Sequence, residues 1–156
     1  IGKSPNDKQG YNIKPYAEKY DLWERVVYEY PARIAYMDVL VNLEAADGVF
    51  ILGSTEPHYT PSKTYQGVLS KKMLLAILHK DSTAVNVIRN ANAGLVLDFA
   101  GEEGVSTIKE MFPKILEEYL TKLKTFKPED VDLTEFNQYS AENVTAQLVS
   151  LLNQIK

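Results

Sequence analysis

The chain contains no cysteine, only two histidines and a single tryptophan among its 156 residues. The missing thiols exclude disulfides, thiolate metal sites and cysteine nucleophiles together, and are compatible with a reducing compartment. With His58 and His79 as the only imidazoles, a metal site lacks its usual ligands. No apolar run reaches the roughly 20 residues that a membrane-spanning helix requires, and no signal peptide opens the chain. Lys and Arg do not cluster, and the formal net charge is −4. The counterion displacement that drives binding to a nucleic-acid backbone therefore has no source here. These absences give the expectation of a soluble, cytoplasmic chain with no nucleic-acid partner, no metal, no cofactor and no membrane span.

Several catalytic fingerprints are missing too. There is no Gly-x-Gly-x-x-Gly after a strand, which removes the dinucleotide signature, and the one Gly-Lys-Ser, Gly2-Lys3-Ser4, falls in the polar turn that opens the chain. There is no Gly-x-Ser-x-Gly elbow of an α/β hydrolase. The paired carboxylates Glu102-Glu103 and Glu117-Glu118 fall in an apparent turn and on an amphipathic helix, where solvated charge is the default reading.

What is present is a globular composition. At 45% hydrophobic and 24% charged residues, the chain is long enough to bury a core, and residues 1–156 are expected to form one α/β domain. Ile1-Gly2 followed at once by the polar turn Lys3-Ser4-Pro5-Asn6-Asp7 reads as the tail of a strand, so the expectation is a piece of a longer protein.

Periodicity sets the elements. Ile13 to Leu22 has helical spacing, and Val26-Val27-Tyr28-Glu29-Tyr30 predicts a strand stopped by Pro31. Met37 to Ala46 predicts a helix feeding Gly48-Val49-Phe50-Ile51-Leu52, a continuous apolar run of the type buried on both faces of a parallel sheet. A polar turn, Gly53 to Thr60, leads to Pro61, which suits a first helical turn, with Thr60 as its N-cap and the helix running to about Ser70. Met73 to Leu78 is a further buried strand. Asp81 or Ser82 caps a helix to Asn90, and Ala93 to Leu97 is a fourth strand. Strands alternating with helices at this spacing predict a Rossmann-like, doubly wound parallel sheet with helices on both faces.

The C-terminal third predicts amphipathic helices. Ile108, Met111, Phe112, Ile115, Leu116, Tyr119, Leu120 and Leu123 trace one apolar stripe, and Val144, Leu148, Leu151, Leu152 and Ile155 trace another. Both read as packing surfaces and carry no assigned chemistry.

In open parallel sheets ligands bind beyond the carboxyl ends of the strands, which directs attention to the loops Gly53–Thr60, His79–Ser82 and Asp98–Gly104. Two readings of the first loop follow. The backbone N–H groups of Ser62 and Lys63, at the start of a helix, point into the cleft and take an anion. In the other, Thr60 caps the helix, water takes the amides and Lys63 is a solvated charge. His58 reads equally as an exposed loop residue, and His79 as a strand-end residue packed under a loop.

The order of motifs adds to this. Arg33-Ile34-Ala35-Tyr36, a helix, Ala46-Asp47-Gly48-Val49-Phe50-Ile51-Leu52, Ser54, Pro61-Ser62-Lys63-Thr64-Tyr65-Gln66 and Leu69-Ser70-Lys71-Lys72-Met73-Leu74-Leu75-Ala76 together resemble the C-terminal, donor-binding half of GT-B glycosyltransferases, closest to the family 4 type. The likeness covers about Arg33 to Asp98, and Phe136-Asn137-Gln138-Tyr139-Ser140 with its terminal helix is similar to that family's last element. The resemblance implies a nucleotide-diphosphate sugar as ligand, with the base against the backbone near Ile34, the pyrophosphate on the amides of Ser62 and Lys63, and the ribose on Gln66. Ser54, Thr55 and His58 are implied to line the same cleft. In such proteins the stretch matching His58 to Gln66 usually carries a Glu at each end, and members with a Pro-Ser-Lys-x-Tyr-Glu version keep only the second, which holds the ribose; here the two positions are His58 and Gln66, and Gln66 offers ribose a weaker acceptor than a carboxylate. Met73 stands where the family often has Pro. The resemblance also implies hexosyl transfer to an acceptor held by an N-terminal half of the same protein, possible peripheral membrane attachment through that half, and no turnover by this chain alone. A different reading, prompted by His58 and Gln66, is a degenerate, non-catalytic module used for protein contact.

Overall fold

The computed structural model describes residues 10–57 and 59–154, which fall into two compact units divided after Val41. In the first, helix α1 (Lys14–Lys19) begins at a proline-containing first turn. The Glu29 carboxylate closes its N-terminus, accepting the N–H of Asn12 at 2.8 Å and those of Ile13 and Lys14 at 2.9 Å each. Glu29 thus takes three amides that a short helix leaves without partners. Its carboxyl sits below the ordinary value: desolvation pushes it up, but the three backbone donors together outweigh that. Trp23 packs edge-on against Tyr11 at 5.6 Å between centroids, and the Lys14 ammonium lies 4.9 Å from both rings.

Two expectations for this segment need correction. The helix expected over Ile13–Leu22 stops at Lys19, because Asp21 turns into the left-handed region (φ 54°) and Leu22 N–H closes on the Ala17 carbonyl at 2.8 Å. The strand expected over Val26–Tyr30 does not form; the amides of Val26 and Val27 both bond the Leu22 carbonyl, and Val27 makes only an isolated bridge to Trp23. β-branched and aromatic residues favour a strand only where a neighbouring strand receives them.

Helix α2 (Tyr36–Ala45) spans the division and agrees with expectation to one residue. The second unit holds three parallel strands in the order β1 (Gly48–Leu52), β2 (Met73–His79), β3 (Gly94–Phe99), with Gly48 opposite Met73 and Leu74 opposite Gly94. Helices α3 (Lys63–Leu69) and α4 (Thr83–Asn90) link consecutive strands. α5 (Glu103–Leu123) follows β3; two 3₁₀ turns (Pro128–Asp130 and Thr134–Tyr139) lead to α6 (Ala141–Gln154).

Alternation along β2 places the layers. Leu74, Ala76 and Leu78 join Val68, Ala84, Val85 and Ile88 in the core beneath α3 and α4. Met73 and Leu75 meet Tyr119 of α5 on the opposite face. The fold is therefore the expected Rossmann-like parallel sheet with helices on both faces. Burying each of Leu74, Leu78 and Ile88 contributes roughly 2 kcal/mol. Tail residues finish the larger core: Val131 is buried in it, and Asp132 N–H bonds the Ala91 carbonyl at 2.8 Å.

β1 departs from the sequence reading. Its run was expected to be buried on both faces, yet Phe50 is 53% and Leu52 67% exposed. Among the described residues β1 pairs only with β2, so it is an edge strand, and its α5-side residues are covered on one flank alone. The α6 stripe Val144, Leu148, Leu151 and Leu152 is likewise exposed rather than packed. Ile155 lies outside the described residues.

Candidate functional site

The carboxyl ends of β1, β2 and β3 open onto three loops. Gly53 leaves β1 with its N–H on the Ile77 carbonyl at 2.8 Å, and a Cβ there would lie 2.9 Å from Leu78 Cδ2 and 3.2 Å from the Ile77 carbonyl oxygen, so a larger residue would crowd β2. The loop then turns locally, with Glu56 N–H donating to Ser54 Oγ at 3.2 Å. Thr55 is exposed. His58 lies outside the described residues.

Thr60 is not the N-cap of α3. Its hydroxyl pairs with the Thr83 hydroxyl at 2.7 Å instead, and Pro61-Ser62 forms a turn first, closed by Thr64 N–H on the Pro61 carbonyl at 2.9 Å. Ser62 occupies the cap position without a side-chain capping bond, and α3 starts at Lys63. This uses one of the amides at the helix start. Those of Ser62 and Lys63 have no acceptor among the described residues. Lys63 is exposed, and no ion pair among the described residues involves it. Gln66 is half-buried on the same short helix, one turn on.

Ser54, Thr55, Ser62, Lys63 and Gln66 thus share one loop and helix start beyond β1. Ile34 belongs to the first unit, where it is half-buried.

The structure gives Ser82, a cap candidate in the sequence, a contact that the sequence reading did not foresee. Ser82, 2% exposed, occupies the cap position of α4, but its hydroxyl donates to the Tyr59 carbonyl at 2.8 Å. With the Thr60–Thr83 pair, this pins the β1–α3 loop to the start of α4. Small hydroxyl residues on two consecutive strand-to-helix loops were the available signal, since such loops are neighbours in a parallel sheet. His79 is 4% exposed at the end of β2, the strand-end placement that was one of its two readings, edge-on to Phe99 at 5.7 Å.

The chemistry is that of polar contact. The loops offer hydroxyls, two helix-start amides, one ammonium and one carboxamide, which suits an anionic, hydroxyl-bearing ligand. Glu103 proves to begin α5, whereas Glu117 and Glu118 are exposed on that helix, Glu118 pairing with Lys122 at 2.8 Å. Among the described residues no three or more His, Asp or Glu side chains are grouped to hold a metal ion, and no helix is long and apolar enough to cross a membrane. Comparison with known protein families, with curated proteins and with solved structures gave no match.

Proposed function

We propose that the chain binds a nucleotide-diphosphate sugar and serves as the donor-binding part of a glycosyltransferase. The observation that supports this best is a coincidence of motif and place. Pro61-Ser62-Lys63-Thr64-Tyr65-Gln66, the segment with the family likeness, lies directly beyond the carboxyl end of β1 in a parallel sheet, and the Ser62 and Lys63 amides have no acceptor among the described residues. In this reading the diphosphate accepts from those amides, the Lys63 ammonium offsets its charge, and the Gln66 carboxamide bonds the ribose hydroxyls. Departure of the diphosphate from the sugar would be eased by the same positive potential, without a metal. The acceptor and its base are assigned to an N-terminal half of the protein.

The test is a titration of the full chain with uridine, guanosine and adenosine diphosphates and their sugars, followed by amide NMR. Shifts concentrated at Ser54, Ser62 and Gln66 are expected. No response to any of them at millimolar concentration removes donor binding. A second reading, a non-catalytic module for protein contact, is favoured by the exposed α6 stripe. It prevails if trimming α6 abolishes a protein interaction while Lys63→Ala and Gln66→Glu leave ligand binding unchanged.

A further inference from the structure

We propose that two copies of this chain pair edge to edge through β1, about a two-fold axis at Phe50. Gly53 N–H turns towards β2, on the Ile77 carbonyl at 2.8 Å. Backbone groups alternate in direction along a strand, so Val49 and Ile51 also face β2, while Gly48, Phe50 and Leu52 present N–H and C=O to the open edge. These three are spaced evenly about Phe50. A second β1 laid antiparallel and centred there sets Phe50 opposite Phe50 and Gly48 opposite the second copy's Leu52, each pair exchanging both backbone bonds. One patch then serves both copies, as a two-fold interface requires.

The side chains fit the same register. Phe50 is 53% exposed and lies edge-on to Phe112 of α5, 6.3 Å between centroids; Leu52, two residues on and on the same face, is 67% exposed. Along them runs an apolar groove of about 340 Å³, lined by Gly48, Phe50, Phe112, Leu116, Tyr119 and Leu123. Gly48 is the one β1 residue that adds no side chain to its wall. The register brings the second copy's Leu52 to that position, so the most exposed residue of one strand meets the gap in the other.

What singles out a second copy is that β1 lacks the features that keep edges apart. Edge strands are ordinarily guarded by a charge, a proline or a bulge. Gly48-Val49-Phe50-Ile51-Leu52 carries neither charge nor proline, and it pairs with β2 residue for residue. Just outside it, Asp47 falls opposite the second copy's Gly53, so no like charges meet. Five strand residues alone cover less than the roughly 800 Å² per partner of a stable interface. α5 extends the patch: Val105 and Leu120, 46% and 51% exposed, stand three turns before and one turn after Leu116 on its side of the helix. The pairing takes no bond from the β1–α3 loop and is independent of the donor reading.

The experiment is sedimentation of the full chain from about 1 to about 200 µM. A dimer in equilibrium with monomer is expected. Leu52→Lys, which sets a charge against Gly48 of the other copy, should weaken it roughly tenfold or more with the thermal midpoint of the monomer unchanged, since Leu52 is exposed there. The chain has no cysteine, so Phe50→Cys introduces a single thiol at the axis. Its Cα should lie about 5.5 Å from its own copy, within disulfide range. Mild oxidation should therefore yield a covalent dimer, whereas Leu148→Cys, on the exposed stripe of α6, should not. The proposal is overturned by a monomer at every concentration, by a dimer indifferent to Leu52→Lys, or by cross-linking through Leu148→Cys in place of Phe50→Cys. The first two outcomes decide it even if Phe50→Cys fails to fold.

Discussion

Gly48 lies beneath the ring of Tyr119, and a Cβ built on it would overlap the tyrosine hydroxyl and come within 3.0 Å of Cζ. That hydroxyl donates to the Met73 carbonyl at 2.9 Å, directly opposite Gly48 in the β1–β2 register, so neither group has room to yield. Gly48→Ala is expected to destabilise the second unit by about 1–3 kcal/mol, the usual cost of overpacking. In a Tyr119→Phe background the clash with Oη is gone, and the same substitution should cost less. Urea midpoints of the four proteins give the coupling; equal costs in both backgrounds would show that the pair is independent.

Tyr119 also predicts an alkaline limit. Burial raises its pKa above 10.0 by penalising the phenolate, and the charge of Asp47 acts in the same direction against a lowering contact from Val49 N–H. The folded chain therefore keeps this proton at pH values where the unfolded chain has lost it. Stability from the group is complete below about pH 10 and falls as the pH rises through the elevated folded value. Thermal denaturation across that range should show a steeper decline for the unaltered chain than for Tyr119→Phe.

Glu29 sets the opposite dependence in the first unit. Its carboxyl is held below the reference value of 4.5 by the amides of Asn12, Lys14 and Ile13, so its contribution is present above that value and is lost as the pH falls through the lower folded one. Trp23, the single tryptophan, packs in the same unit and reports on it alone. Acid titration of its fluorescence should show a transition at higher pH in Glu29→Gln, which keeps the shape but not the charge. Identical transitions would exclude Glu29 as the cause.

How much of this was legible beforehand depends on the range of the forces involved. Met73–His79 and Gly48–Leu52 are both short apolar runs, and both are strands, because propensity is a local property. That one is central and the other an edge is decided by which strand pairs with which, and no residue within either run records it. Val26–Tyr30 has the same local character and forms no strand, because among the described residues it meets only an isolated bridge to Trp23. The site behaves alike. Position beyond β1 and the Pro61-Ser62-Lys63 start could be read directly, whereas Thr60 was misassigned because its hydroxyl is claimed by Thr83, 23 residues away. His79 lies at a strand end, one of its two readings, but the Gly101 amide that approaches its ring comes from a loop 22 residues away, which only the fold brings near.

Within the proposed donor site, charge should tune affinity in a definite direction. Gln66 offers ribose hydroxyls a neutral acceptor, and a carboxylate there would accept more strongly. Gln66→Glu is expected to tighten nucleoside diphosphate binding about fivefold, equivalent to ~1 kcal/mol, and Lys63→Ala to weaken it by a similar factor. Isothermal titration with the tightest diphosphate of the panel measures both. An unchanged affinity in each would separate the ligand, if one binds, from this helix.

Thr64 offers a substitution with a stabilising sign. The residue is fully buried in α3, and its Oγ1 has no hydrogen-bond partner among the described residues. A hydroxyl taken from water without compensation costs about 1–3 kcal/mol, whereas replacing it with an apolar group of the same shape removes that cost. Valine is that group, and it keeps the β-branch and the N–H that closes on Pro61. Thr64→Val is therefore expected to raise stability by ~1 kcal/mol, a shift of about 2–4 °C in midpoint for a chain of this size. Thr64→Ser is the matching control, since it keeps the unpaired hydroxyl and deletes the packed methyl, and it should lower stability. A loss of stability in the valine variant would mean that the hydroxyl is bonded in solution after all, and a search for its partner should begin in the loop that leads into α3.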